Sequence, residues 1–183
     1  MYNRSELTGF IYSALFAALI AVLGLVAIPL PFSPVPVTGQ SLGIMLAGGI
    51  LSVRQAAYSV LTFLLIGAVG VPVFAGVTGG IGILVGPRGG YLIGFLVGAI
   101  IIALVKGKEN NVWRLALANL VGGILVVYTL GVLWLSFVTG MGLEKAITVG
   151  ALPYIPGDLF KVFVATIVAV TITKRLPKNQ ARP

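Results

Sequence analysis

The sequence predicts an all-α integral membrane protein, a bundle of six transmembrane helices joined by Gly- and Pro-rich loops on the outer side. Three observations lead there. Of 183 residues, 58% are hydrophobic and only 9% charged, against about 25% charged in soluble domains. Apolar stretches approaching the roughly 20 residues that cross a bilayer recur along the chain. Nine of the twelve Lys and Arg residues gather where a six-span topology puts one face of the membrane. The length suits a single domain, residues 1–183, with a basic tail over 174–183.

The first span is expected over residues 7–28, ending where Pro29, Pro31, Pro34 and Pro36 crowd the chain. It is too long for a cleavable signal and lacks a convincing small-residue cleavage site, so it is expected to remain. A short, Gly-interrupted second span covers 40–52 and a third covers 55–70. Residues 71–90 hold too many Gly and Pro for a regular helix. The fourth span covers 91–105, and the fifth, 112–138, is long enough to tilt. Residues 143–152 have the pattern of a short amphipathic interfacial helix. The sixth span, LFKVFVATIVAVTIT, follows Pro156.

Six spans place both termini on one side. Arg4, Arg54, Lys106, Lys108, Arg114, Lys174, Arg175, Lys178 and Arg182 then share that side, leaving Arg88, Lys145 and Lys161 for the other. Positive charge favours the cytoplasmic side, so both termini are expected there in a multi-pass cell-membrane protein. A five-span alternative puts Arg54 or the tail on the wrong side. In the six-span arrangement Val35-Pro36-Val37, the Gly-rich loop and Pro156-Gly157-Asp158 converge outside. Irregular backbone at membrane depth survives only where protein or water covers it, so an outward-opening pocket is expected there.

Several function classes drop out. With no Cys and no His, disulfides, thiolate nucleophiles, His-based triads and imidazole metal ligands are excluded. The formal charge of +8 orients the chain in a membrane and does not indicate nucleic acid. The stretch Gly76 to Gly82 contains closely spaced glycines, but no Gly-Lys-Ser/Thr follows and the third glycine of a dinucleotide turn is missing. The chain therefore hydrolyses no ATP itself. No cofactor and no metal is expected.

Asp158 and Lys161 stand at the mouth of the last span, in a chain with four acidic residues. Three apart, they share a helix face. A structural ion pair would let both charges enter the headgroup region. Alternatively the pair faces the pocket, Asp158 accepting from ligand N–H groups and Lys161 donating to a ligand oxygen; Arg88 on the same side favours this. In the first span, Ala14/Ala18 and Ala17/Ala21 form small-xxx-small spacings. These fit either an internal seam or a docking face for a partner subunit.

The blocks PVPVTGQ, GVPVFAG, GPRGGYLIGF and LPYIPGDLFK together resemble the biotin-specific substrate-binding subunits of energy-coupling-factor transporters, nearly end to end. The resemblance implies a six-helix, non-enzymatic subunit. It would bind biotin from outside and assemble with one further membrane subunit and two ATPase subunits. It implies ligand-site roles for Asp158, Lys161, Gln40, Phe74 and Tyr91, and makes the Ala14/Ala18 face the docking surface. Biotin's ureido group, apolar bicycle and carboxylate suit Asp158 with Lys161 or Gln40, Phe74, and Arg88 respectively. The same fold serving another small solute is the alternative; an intramembrane enzyme is a third reading, without a second carboxylate for metal or acid–base work.

Overall fold

The computed structural model describes residues 4–107 and 111–175; Lys108, Lys178, Arg182 and the tail beyond 175 lie outside the described residues. In chain order the elements are α1 (Arg4–Leu23), β1 (Ala27–Leu30), β2 (Ser33–Thr38), α2 (Gln40–Ile50), α3 (Val53–Ala68), α4 (Ile81–Val85), α5 (Gly89–Val105), α6 (Val112–Ala118), α7 (Val127–Thr139), α8 (Leu143–Gly150) and α9 (Ile155–Arg175). Between α6 and α7 a π-helical stretch, Asn119–Val126, keeps the rod continuous. Three of the resulting helices are long and apolar enough to cross a membrane, Glu6–Leu23, Val112–Thr139 and Ile155–Arg175. Gln40–Ile50, Val53–Ala68 and Gly89–Val105 are apolar but shorter.

The all-α expectation needs one correction. The first helix stops at Leu23, and the chain turns into an antiparallel hairpin pairing Ala27 with Thr38 and Leu30 with Ser33. Four prolines stand in or beside it, which reads as loop in sequence. A two-stranded hairpin consists only of edges, so prolines lacking an N–H can face away from the ladder. The register slips between Ile28 and Leu30, around Pro29. Residues 71–88 are irregular as expected, apart from the short α4.

At the centre lies α2, buried at ten of its eleven positions. It packs against α1, α5, α9 and the π-helical stretch. Eleven residues rise about 16 Å, roughly half the hydrocarbon thickness. The bundle axis beyond its N-terminus is therefore left to the hairpin, the 71–88 loop and the start of α9. At the other end Lys106 donates to the carbonyls of Gly49 and Leu51, and Arg114 to that of Val105 at 2.6 Å. These cations meet carbonyls that helix ends leave unpaired.

Helices approach closely where glycines face each other. A Cβ on Gly98 of α5 would lie 2.4 Å from the carbonyl oxygen of Gly122, and one on Gly122 would lie 2.5 Å from Ile102 Cγ1. By contrast, a Cβ on Gly157, in the first turn of α9, would meet nothing within 4 Å. We expect Gly98→Ala to lower the melting temperature in detergent, in keeping with an overpacking cost of about 1–3 kcal/mol. Gly157→Ala should leave it unchanged or raise it. A Gly98→Ala protein melting with the wild type would show that α5 and the π-helical stretch are not in backbone contact.

Candidate functional site

The hairpin, the 71–88 loop, α5, α7 and the start of α9 enclose a cleft of about 610 Å³, counted with the open solvent at its mouth. Asp158, Lys161, Gln40, Phe74, Tyr91 and Arg88 all line it, together with Ser41, Tyr128 and Tyr154.

Asp158 is the deepest charge, 5% exposed. Pro156 occupies the first turn of α9, where a missing N–H costs nothing. Asp158 follows in that turn, at the end of the helix dipole that favours negative charge. Its Oδ1 accepts from Lys161 Nζ at 2.6 Å and from Ser41 Oγ at 3.1 Å; its Oδ2 accepts from Tyr128 OH at 2.5 Å. Lys161 Nζ also donates to Ser41 Oγ at 2.9 Å and to the Thr38 carbonyl at 2.7 Å. All three ammonium protons are thus engaged. Lys161, Ser41 and Asp158 form a closed triangle that ties α9 to α2 and to the end of the hairpin.

Gln40, the first residue of α2 and 2% exposed, donates from Nε2 to the Val73 carbonyl at 3.1 Å. That bond holds the 71–88 loop over the helix end. Phe74 is 2% exposed and stands edge-on to Phe63, ring centroids 5.4 Å apart. It fits because position 67 is glycine: a Cβ there would lie 2.1 Å from the Phe74 ring. Tyr91 donates to the Gly150 carbonyl at 2.8 Å, pinning α8 to α5.

Arg88 bridges the hairpin and the 71–88 loop. Its Nε donates to the Pro34 carbonyl and its Nη1 to that of Ala75, both at 3.2 Å. Burial lowers its pKa below the usual guanidinium range, but a guanidinium stays charged. Two of its five N–H groups are used there, leaving three for other acceptors. Tyr154, between α8 and α9, donates to the Val35 carbonyl and accepts from Ser33 Oγ at 2.8 Å, clamping the hairpin from the opposite side. Burial pushes the Tyr154 phenol up from its usual range, so it remains a donor.

Sequence reasoning passed over Ser41, Tyr128 and Tyr154. Ser41 adjoins Gln40, so a helix N-terminus opening on the pocket was a usable signal. Tyr128 lies mid-span among apolar residues and carried none. Ala14 and Ala18 do not line this cleft; both are exposed on α1, whereas Ala17 and Ile20 are 4% and 0% exposed. Among the described residues no group of His, Cys, Asp or Glu is arranged to hold a metal ion.

The family model described as the BioY family matches residues 1–178. The biotin transporter BioY of Rhizobium etli is 40% identical, over 94% of this chain and 96% of its own length. That of Thermotoga maritima is 41% identical over 90% and 95%. A crystal structure of the S-component for biotin from an ECF-type ABC transporter superposes with a TM-score of 0.91 at 32% identity. It covers 99% of this chain and 98% of that one. With family model, relatives and fold agreeing from end to end, this chain is a member of the BioY family.

Proposed function

We infer that this membrane protein is the biotin-binding subunit of an energy-coupling-factor transporter and no enzyme. In this reading it captures biotin in the cleft and delivers it inward with a membrane scaffold subunit and two ATPase subunits. The observation that carries it is the Asp158 carboxylate, buried in an apolar-walled cleft of a BioY-family chain. The six apolar helices are read as six spans, with both termini cytoplasmic and the cleft opening outward. Asp158 Oδ2 accepts a ureido N–H, Phe74 and its apolar neighbours cover the bicycle, and the remaining Arg88 N–H groups meet the carboxylate tail. Gln40 and Tyr91 fix the floor and wall. Lys161, with its protons committed, acts by orienting the Asp158 carboxylate.

Affinity measurements on the purified protein test the ligand and the site together. Asp158→Asn and Lys161→Gln should each weaken biotin binding about ten- to a hundredfold, the scale of a charged hydrogen bond of roughly 1.5–3 kcal/mol. The double variant should lose less than the product, because the two side chains touch. Folded variants that both bind biotin normally would make the ion pair purely structural.

Orientation is checked by cysteine labelling, with no native Cys to interfere. Exposed Glu144, on α8, and exposed Arg54, at the start of α3, lie at opposite ends of the bundle in this reading. An impermeant thiol reagent applied to whole cells should label Glu144→Cys and spare Arg54→Cys. The reverse pattern would invert the topology and turn the cleft inward.

The exposed Ala14/Ala18 face of α1 is read as the docking surface for the scaffold subunit, since small residues let helix backbones approach closely. Ala14→Trp or Ala18→Trp should keep biotin binding in detergent and lose co-purification with the ATPase module and energised uptake. Variants that assemble and transport normally would move the docking face elsewhere.

A further inference from the structure

Around Asp158 the hydrogen-bonding capacity is unevenly used, and the imbalance points to one residue. Oδ1 holds both Lys161 and Ser41, whereas Oδ2 holds only the hydroxyl of Tyr128. Lys161 has no proton left to offer, and the single proton of Ser41 goes to Asp158. A ligand carbonyl arriving beside Oδ2 therefore finds neither of them free to donate. Tyr128 differs from both: its hydroxyl lines the cleft, its one hydrogen bond is to Oδ2, and a phenolic O–H redirects by rotation about a single C–O bond.

We propose that Tyr128 is a ligand-contacting, specificity-determining residue whose hydroxyl turns from Asp158 Oδ2 to the ligand's carbonyl oxygen on binding. Oδ2 then accepts the adjacent ligand N–H. The two side chains together read one edge of a cyclic urea, on which an N–H donor and a C=O acceptor lie side by side. The 2.5 Å separation of Tyr128 OH from Oδ2 sets a donor and an acceptor next to each other, as that edge requires. No proton changes owner: one O–H···O bond is exchanged for another, and the ligand N–H fills the acceptor site released. A ligand that presents only donors, or only acceptors, on that edge leaves one partner unpaired in a buried site, which is costly and therefore selective.

The proposal rests on biotin being the ligand, and its test separates the two ideas. Affinities of the full-length wild type and Tyr128→Phe are measured for biotin, for the analogue with sulfur replacing the ureido carbonyl oxygen, and for the analogue lacking the ring sulfur but keeping the urea. Sulfur is a much weaker acceptor. Tyr128→Phe should weaken biotin and the urea-containing analogue by a similar factor, about tenfold, and weaken the thiocarbonyl analogue threefold or less. An equal loss on all three ligands would mean that the hydroxyl only steadies Asp158, and would overturn the inference while leaving the biotin reading intact. A wild-type protein binding none of the three would remove the biotin reading itself.

Discussion

A carboxylate inside an apolar bundle is the constraint around which the cleft-bearing half of this protein is arranged. Desolvating an ion costs several kcal/mol even after relaxation, and the cost is offset only by good geometry and saturated hydrogen bonding. Asp158 receives three donors from three different elements: Lys161 on its own helix, Ser41 on α2 and Tyr128 on α7. The network therefore fixes how α9 sits against α2 and α7. Lys161 then reaches the Thr38 carbonyl and extends the tie to the end of the hairpin. Losing one partner would leave the others facing an uncompensated charge.

The short central helix creates the space this network controls. Because α2 begins at Gln40, the axis beyond it must be closed by irregular chain, and buried irregular chain needs partners for its backbone groups. Side chains supply them. Gln40 holds Val73, Arg88 joins Pro34 to Ala75, and Tyr154 clamps the hairpin at Val35. These contacts reach the hairpin and the loop from several sides, leaving a cleft between them with apolar walls and a few directed polar groups. Fold and cleft thus share residues: Gln40, Arg88 and Tyr154, which satisfy this backbone, also line the cleft.

The opposite half is built for close packing. Gly98 and Gly122 let α5 and the π-helical stretch touch through backbone, and Lys106 caps the end of α2. Between the two halves α1 offers an outward row of small residues while Ala17 and Ile20 bury themselves against the bundle. A closely packed half, a cleft with a few polar groups and a flank of small residues fit the ligand-holding role proposed above.

Much of this was legible in the sequence, because hydrophobicity and charge placement are one-dimensional signals. Low charge and recurrent apolar runs marked the chain as an apolar helical bundle. The i,i+3 spacing of Asp158 and Lys161 told of their shared face, and the motif blocks told of the family. The hairpin escaped because four prolines argue against strands unless every ladder edge is free, a condition set only by the three-dimensional pairing. Tyr128 escaped for a similar reason. It stands thirty residues before Asp158 on another helix, amid residues that read simply as span. Local patterns fix what each segment is, because period and propensity act over a few residues. The partners of a buried charge are decided by which helices the fold sets side by side.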